Sequence, residues 1–404
     1  MSPNEPILLA FSGGLDTSFC IPWLSETYGR PVITVTVDTG GLDEEARTAL
    51  EQRATALGAA RHVTVDARGR FFDQVLRYLI FGNVRRGGLY PLCVGAERVL
   101  QAQTMARISG DLGSATVAHG CTAAGNDQVR FEVALHTLRP ELEVLAPVRD
   151  NAWRREEQFA FLEERGLPAP GGRGAYSINR GLWGVTIGGR ETLDSKASIP
   201  EEAWVLTRGA FDAPRAAESH VLRFESGVPV ALDGERMDPV GLIEKVEDLA
   251  AGFGIGRGIH LGDTVLGTKG RVAFEAPAAE VILTAHRELE KLTLSGAQSR
   301  VKEPLAAIYG DMLHEGQHLD PACRDIEALL ASSQARVTGE VTVLLRPGSV
   351  FVEGAISPHS LLAATRGTYG EAAGEWTAAD ALGFSRVRSL PGMLYTRAAD
   401  QEGG

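Results

Sequence analysis

The feature that most constrains the fold is a Ser-Gly-Gly loop that directly follows a short apolar run near the N-terminus. The apolar run is Ile7-Leu8-Leu9 and the loop is Ser12-Gly13-Gly14, after which a helix is expected to begin at about Asp16. Glycine carries no Cβ, so backbone N–H groups in such a loop can approach an anion closely. The free N–H groups and the positive end of the following helix favour an anion at the same place. The pattern therefore predicts a strand–loop–helix unit that binds phosphate.

Polar side chains around this loop add further groups suited to a nucleotide. Ser12, Thr17 and Ser18 supply hydroxyl donors, and Asp16 supplies a carboxylate able to face magnesium. The loop lacks the Gly-Lys-[Ser/Thr] ending of a Walker motif. It resembles instead the pyrophosphate-binding loop of the N-type ATP pyrophosphatases, which cleave ATP between the α and β phosphates. A plain strand-to-helix turn is the alternative, since Gly and Ser are common in turns.

The first 150 residues alternate strand-like runs with helical periodicity. The predicted strands are residues 7–11, 32–37, 62–65, 115–118 and 143–146, and the predicted helices are residues 16–28, 46–57 and 99–108. This alternation is typical of an α/β fold with a doubly wound parallel sheet, in which ligands bind beyond the carboxyl ends of the strands. Both the Ser-Gly-Gly loop and residues 119–127 follow predicted strands, so we expect them to face one crevice.

A stretch rich in Gly and Pro at residues 166–174 predicts a boundary between a nucleotide-binding domain, residues 1–170, and a second domain, residues 171–404. In the second domain the predicted strand pairs are 221–224 with 229–232 and 337–345 with 349–352, and the predicted helices are 239–253 and 277–292. This mixture indicates an α+β domain. No strong helix is predicted after Gly383, and residues 401–404 are expected to fray.

Composition excludes several classes of function. The chain has 404 residues, a formal net charge of −12 and four widely separated cysteines, and it has no apolar run long enough to cross a bilayer. The acidic balance argues against broad binding to nucleic acid or to anionic membranes. The absence of a Cys-x-x-Cys pair and of a signal peptide fits a reduced, cytoplasmic protein without a cysteine metal site.

A second polar cluster follows the predicted strand at residues 115–118. Asn126 and Asp127 stand where a helix is expected to be capped, and Asp127 and Arg130 share one face of that helix. The simplest interpretation is an N-cap with a local ion pair. The functional interpretation is an amino-acid site, in which an amide and a carboxylate bind an ammonium group and an arginine binds a carboxylate.

Together the two segments resemble the argininosuccinate synthase family. The resemblance rests on Ser-Gly-Gly-Leu-Asp-Thr-Ser at residues 12–18 and Gly-Asn-Asp-Gln-Val-Arg-Phe-Glu at residues 125–132. Looser matches extend it over most of the chain, at Tyr90-Pro91-Leu92, Arg98, Tyr176-Ser177, Gly267, Lys269-Gly270-Arg271 and Glu275. The family implies that the ureido oxygen of citrulline attacks the α-phosphorus of Mg-ATP and releases pyrophosphate. The amine of aspartate then displaces AMP from the citrullyl-adenylate, which gives argininosuccinate.

The resemblance also implies roles for individual residues, with catalytic roles for Asp16 and Asp127. The implied ATP-binding residues are Ala10, Phe11, Ser12, Gly13, Gly14, Leu15, Asp16, Thr17, Ser18, Val37 and Gly120. Aspartate would be bound by Thr122, Asn126 and Asp127, and citrulline by Tyr90, Gly95, Asn126, Arg130, Ser177, Thr186, Gly262 and Phe274. Magnesium enters with ATP, and no protein metal site or prosthetic group is expected. The implied assembly is a homo-oligomer, with a tetramer as the first expectation.

Departures from the family pattern concentrate on the citrulline side. Gly95 stands in place of a serine, Gly262 of a glutamate and Phe274 of a tyrosine, while Ala123-Ala124 stand in place of Gly-Lys. Losing a hydrogen-bond partner of a charged ligand costs about 2–3 kcal/mol, so other groups are expected to substitute. The expected substitutes are Asn179-Arg180, together with His260 or Asp263. An altered acceptor such as an N-acylated citrulline, and a non-catalytic ATP-binding regulator, stay as alternatives.

Three further patterns point elsewhere. Residues 314–318 read His-Glu-Gly-Gln-His and fit the zincin pattern, but Gly316 and Pro321 weaken the helix that this pattern requires. Cys93 and Cys121 would suit a tRNA sulfur transferase, but the acidic charge argues against RNA, and buried apolar roles are favoured. The Gly-rich residues 252–258 predict a turn after a helix.

Overall fold

Residues 5–170 and 176–400 are described by the structure, which is a computed structural model. The chain divides into two compact units, Met1–Pro358 and His359–Gly404. The predicted boundary at residues 166–174 lies partly, and the predicted fraying at residues 401–404 wholly, outside the described residues. The domain division at residue 170 therefore stays a prediction.

The N-terminal sheet has five parallel strands in the order β3-β2-β1-β4-β5. The strands are β1 (Ile7–Ala10), β2 (Val32–Asp38), β3 (Arg61–Asp66), β4 (Thr116–Ala118) and β5 (Glu143–Leu145). The predicted strands are confirmed to within one residue at either end. Because β1 and β4 are neighbours, the loops that follow them meet at one edge of the sheet.

Helices cover both faces of this sheet. Successive side chains of β1 point to opposite faces and therefore belong to different hydrophobic clusters. Ile7 and Leu9 belong to one hydrophobic cluster and Leu8 to another. The helices of residues 5–170 are α1 (Leu15–Tyr28), α2 (Glu44–Ala56), α3 (Arg68–Phe71), α4 (Arg77–Gly82), α5 (Glu97–Asp111), α6 (Asp127–Leu138), α7 (Pro147–Asp150) and α8 (Arg155–Glu164), with a π-helical turn at Phe72–Leu76. Of these, α3 and α4 pack in a different core. The predicted doubly wound α/β class is confirmed.

Two antiparallel sheets follow, in the orders β10-β9-β8-β13-β14 and β11-β12-β7-β6. Their strands are β6 (Ser177–Gly181), β7 (Gly184–Gly188), β8 (Glu218–Glu225), β9 (Val228–Leu232), β10 (Glu235–Arg236), β11 (Arg257–Asp263), β12 (Lys269–Glu275), β13 (Gly339–Arg346) and β14 (Ser349–Ile356). Both predicted strand pairs are confirmed, as β8–β9 and β13–β14. The β6–β7 and β11–β12 hairpins were not predicted, because glycines and charges interrupt their apolar pattern.

The remaining helices are α9 (Pro239–Ala251), α10 (Pro277–Thr293), α11 (Gly296–His314), α12 (Pro321–Ser333), α13 (Leu361–Ala364) and α14 (Ala378–Asp400). A turn follows α9 as predicted, with Gly254 and Gly256 at φ of 69° and 85°. The largest hydrophobic core joins residues between 67 and 100 to residues between 182 and 345. Consequently the segment that carries Tyr90 and Gly95 packs with the second half of the chain.

The prediction that no strong helix follows Gly383 is wrong. The helix α14 runs over Ala378–Asp400 and contains Gly383, Pro391 and Gly392. These residues lower helix propensity and obscure the periodic pattern in the sequence. Several apolar side chains along α14 are exposed, namely Leu382, Phe384, Val387, Leu390 and Leu394.

Candidate active site

One cleft of about 670 Å³ opens at the carboxyl edge of the parallel sheet. It is lined by the Ser-Gly-Gly loop after β1, the end of β2, the loop after β4 and the beginning of β6. The predicted residues that line it are Ala10, Phe11, Ser12, Gly14, Asp16, Thr17, Val37, Gly120, Thr122, Asn126, Asp127, Arg130 and Ser177. The two sequence motifs therefore face one cavity, as the order of the strands requires.

The Ser-Gly-Gly loop has the local geometry of an anion-binding helix start. Gly13 has a φ of 74°, and a Cβ at this position would overlap the side chain of Leu50. Gly14 is the N-cap of α1 and no side chain caps the helix, so N–H groups of its first turn are available to an anion. Gly13, Leu15 and Ser18 do not line the cleft, and Leu15 and Ser18 are buried beneath the loop.

Two arginines hold Asp127 at the opposite wall of the cleft. Arg98 Nε donates to Asp127 Oδ2 at 2.9 Å, and Arg130 Nη1 donates to Asp127 Oδ1 at 2.8 Å. Burial acts to raise the pKa of Asp127, but the charges and hydrogen bonds of Arg98 and Arg130 outweigh it and lower the pKa to about 2. Asp127 is therefore ionised at neutral pH and is a weak proton acceptor.

Sequence reasoning missed a second carboxylate beside Arg98. Glu97 is 2% exposed, accepts from Arg98 Nη1 at 2.8 Å, and accepts from the Thr39 hydroxyl at 2.6 Å. Burial raises its pKa to about 7, although Arg98 and Thr39 oppose that shift. In the sequence it resembles an ordinary acidic residue in the first turn of a helix. The one signal for this site in the sequence was the position of Thr39 directly after β2, because residues at the carboxyl ends of parallel strands lie where ligands bind.

Sequence reasoning did not predict some other residues that line the cleft, and it named others only as substitutes for the polar groups lost on the citrulline side. The missed ones include Asp38 and Gln101, which both line the cavity, whereas His119, which also lines it, belongs to the predicted segment at residues 119–127. The expected substitutes Asn179 and Arg180 line it too, and Asn179 Oδ1 accepts from Arg98 Nη2 at 3.1 Å. These two residues therefore lie where a substrate in the cleft would reach them.

Five residues predicted for citrulline do not line the cleft, and four of them lie around the β11–β12 hairpin. The ring of Tyr90 stacks on His260 with centroids 5.5 Å apart and lies 5.2 Å from the ring of Phe274. Thr186 pairs with Phe274 across β7 and β12. At Gly262, a Cβ would lie 2.5 Å from His260 Nε2 and 3.0 Å from Arg86 Nη1. The space for a larger residue at position 262 is therefore occupied.

The fifth of these residues, Gly95, packs behind Arg130. A Cβ at Gly95 would lie 3.3 Å from Arg130 Cζ, so a side chain there would press on the guanidinium. The turn of the β11–β12 hairpin reaches the same wall, because Val265 N–H donates to Asn126 Oδ1 at 2.9 Å. The hairpin thus joins the Tyr90 region to a residue that lines the cleft.

The competing sequence patterns lose their support in the structure. The helix α11 ends at His314, and Gly316 has a φ of 81°, so the two histidines of residues 314–318 do not share a helix face. Among the described residues, no group of three His, Cys, Asp or Glu side chains could hold a metal ion. Burial raises the pKa of Cys121 to about 12 and that of Cys93 well above its usual range, so both thiols are protonated at neutral pH.

A membrane-spanning helix is also missing from the described part of the chain: no helix there is both long and apolar enough to cross a bilayer. The four cysteines form no disulfide.

Comparison with known proteins identifies the family over nearly the whole chain. Residues 6–168 match the family model of the arginosuccinate synthase N-terminal HUP domain, and residues 176–395 match that of the arginosuccinate synthase C-terminal domain. The chain is 41% identical to the argininosuccinate synthase of Xanthomonas campestris, over 98% of this chain and 99% of that protein.

Two further relatives show the same similarity. The argininosuccinate synthase of Xylella fastidiosa is 39% identical, over 97% of each chain. That of Methanocaldococcus jannaschii is 37% identical, over 96% of this chain and 97% of the relative. The matches to both family models and to full-length relatives agree with the two motifs found in the sequence. The chain belongs to the argininosuccinate synthase family.

Proposed function

We propose that the protein is an ATP-dependent ligase that joins citrulline to aspartate and forms argininosuccinate, AMP and pyrophosphate. The observation that carries the proposal is the single cleft in which the Ser-Gly-Gly loop faces the residues between Thr122 and Arg130. A phosphate-binding loop opposite an amino-acid cluster suits the transfer of an adenylyl group to an amino-acid substrate.

In the first step, the loop would bind the pyrophosphate end of ATP while the ureido oxygen of citrulline attacks the α-phosphorus. Backbone N–H groups at the start of α1 would stabilise the leaving pyrophosphate. Magnesium, when bound with ATP, would neutralise phosphate charge. Asp16 is the carboxylate of the loop that lines the cleft, so it fits contact with an ion held mainly by phosphates. We assign no prosthetic group.

In the second step, the aspartate amine would displace AMP from the citrullyl-adenylate. We assign Thr122, Asn126 and Asp127 to aspartate. Because the pKa of Asp127 is about 2, its role would be to bind the ammonium group and to orient Arg98 and Arg130 rather than to accept a proton. We assign Arg130 to the carboxylate of citrulline, and Ser177 and the Tyr90 region to the rest of that substrate.

The cellular context is part of the same proposal. Four unpaired cysteines fit a cytoplasmic location, and the formal net charge of −12 fits small-molecule substrates better than nucleic acid. The exposed apolar side chains of α14 favour a homo-oligomer, with a tetramer as the first expectation.

Pyrophosphate release from ATP by the purified protein tests this function, with citrulline and aspartate added singly and together. We expect release that requires citrulline, and AMP with argininosuccinate when both are present. A parallel reaction with N-acetylcitrulline distinguishes citrulline from an acylated citrulline as the acceptor. Release only with the acylated substrate would replace citrulline as the acceptor, and ATP binding without any release would favour the non-catalytic regulator.

A further inference from the structure

The His-Glu-Gly-Gln-His segment at residues 314–318 has no role in the proposed chemistry, yet its first histidine contacts the wall of the cleft. Arg130 Nη2 lies 3.0 Å from His314 Nδ1, and Arg130 Nε donates to the carbonyl oxygen of His314 at 2.7 Å. The backbone approaches closely here, since a Cβ on Gly316 would lie 2.9 Å from Arg130 Cα. One residue thus engages two of the three guanidinium nitrogens.

The partners of the His314 ring determine where its proton lies. A guanidinium nitrogen can only donate, so Nδ1 must carry the lone pair. Nε2 lies 3.2 Å from the carbonyl oxygen of Asp263, which can only accept, so Nε2 must carry the hydrogen. Burial, then Arg130 and Arg86, lower the pKa of His314 to about 3, which agrees with a neutral ring. His314 is therefore the neutral Nε2–H tautomer.

This arrangement connects Arg130 to the β11–β12 hairpin. The Asp263 carbonyl, at the end of β11, accepts from His314 Nε2 and also from Arg86 Nη2 at 3.0 Å. With Asp127 on Nη1, every nitrogen of Arg130 has a protein partner. Each terminal nitrogen carries two hydrogens, so one on each is left for a substrate carboxylate.

We propose that His314 is a positioning residue that orients the Arg130 guanidinium for the carboxylate of the acceptor amino acid and ties that orientation to the β11–β12 hairpin. This inference rests on the proposed function, which assigns Arg130 to citrulline. His314 acts only through Arg130 and Asp263, so its loss is expected to affect the binding of the acceptor and not that of ATP.

Steady-state kinetics of His314→Phe, His314→Gln and His314→Asn test the proposal. The phenylalanine has neither polar group, and the glutamine amide would reach Asp263 but leave Arg130 Nη2 without an acceptor. For these two variants we expect the KM for citrulline to rise about tenfold, with the KM for ATP and kcat within about twofold. The asparagine oxygen would replace Nδ1 as the acceptor for Arg130, so we expect the KM for citrulline of His314→Asn to rise less than about threefold.

His318→Asn is the matched control, because this second histidine of the segment contacts buried Glu327 at 3.2 Å and does not contact Arg130. Thermal unfolding of every variant shows whether the fold is retained. A folded His314→Phe or His314→Gln with the wild-type KM for citrulline would overturn the inference, as would an equal rise in the KM values for citrulline and ATP. Failure of the wild-type protein to release pyrophosphate with citrulline would instead overturn the proposed function, and this inference with it.

Discussion

The two ends of the cleft are built in different ways. The proposed nucleotide end comes from consecutive residues, Ala10 to Ser18, in one strand–loop–helix unit. The proposed acceptor end depends on Arg130, which lines the cleft, and on the segments around Tyr90, His260 and His314, which do not line it and are far apart in the chain. The nucleotide end depends on local backbone geometry, whereas the acceptor end depends on side chains held by tertiary contacts. We therefore expect single substitutions to abolish the first and to retune the second.

The largest effect is expected at the nucleotide end from Gly13→Ala. The residue has a φ of 74° and its Cβ would overlap Leu50, so the loop must move away from the position proposed for the phosphates. We expect kcat/KM for ATP to fall by roughly a thousandfold, about 4 kcal/mol of transition-state stabilisation, measured as pyrophosphate release.

Gly29→Ala is the control for that variant. Gly29 also has a positive φ, 62°, at the other end of α1, but a Cβ there would meet nothing within 4 Å. It carries the same backbone strain without contact with the loop. Equal losses in the two variants would show that strain in α1, and not the shape of the loop, limits activity.

A smaller effect, confined to aspartate, is expected from Arg98→Lys. Lysine cannot contact Asp127, Glu97 and Asn179 together as the guanidinium does. Losing charged hydrogen bonds of this kind corresponds to roughly 10- to 100-fold in affinity, so we expect the KM for aspartate to rise by that factor. The ATP–pyrophosphate exchange that requires only citrulline should change little.

Arg107→Lys, on the exposed face of the same helix, is the control for Arg98→Lys, because its ion pair with Asp111 is solvent-exposed. A fall in citrulline-dependent exchange as large as the loss of aspartate affinity would show that Arg98 serves both substrates.

Gly262→Glu examines the acceptor end, by restoring the residue expected from the family pattern. Because His260 and Arg86 occupy the space at this position, the glutamate must displace them. Moving His260 would disturb its stacking on Tyr90, which predicts a loss of up to roughly tenfold in kcat/KM for citrulline. The double variant with His260→Ala makes room for the glutamate and should recover part of that loss. Improved use of citrulline by the single variant would contradict the packing described here.

The last expected effect concerns stability and not activity, and it comes from Glu97→Gln. Burial raises the pKa of Glu97 from 4.5 to about 7. Between these pH values the folded protein keeps a proton that the unfolded chain has released, so the free energy of unfolding falls as the pH rises. The contribution is about 3 kcal/mol at most. Glutamine does not titrate, so we expect the Tm difference, variant minus wild type, to be a few degrees larger at pH 8 than at pH 5.

Glu51→Gln, on the exposed face of α2, is the control for the stability measurement. A difference in Tm between Glu97→Gln and the wild type that stays constant from pH 5 to pH 8 would show that Glu97 does not titrate in this interval.

Much of the fold was predictable, because the pattern of each element is contained in its own residues. The β-branched run Val32–Asp38 and the apolar run Ile7–Ala10 identify buried parallel strands without knowledge of their neighbours. The pattern failed where propensity and tertiary context disagree. Gly383 and Pro391 concealed α14, and the glycines of β11 concealed a strand whose pairing with β12 makes it regular.

In the candidate site, too, residues in local motifs were predictable and residues defined by tertiary contacts were not. Motifs in consecutive residues identified Asp16, Asn126, Asp127 and Arg130, and all four line the cleft. Glu97 and His314 were missed as site residues because Thr39, which contacts Glu97, and Arg130 and Asp263, which contact His314, are distant from them in sequence.

The sequence by itself determined the parallel sheet, the glycine turn between β1 and α1 and the family, because strand periodicity, glycine conformation and short motifs are local properties. Only the tertiary structure decided that both oxygens of Asp127 are held by arginines, that the space at Gly262 is filled by His260 and Arg86, and that His314 contacts Arg130. Charge state and available space depend on every neighbouring group, and folding brings those groups together from distant parts of the chain.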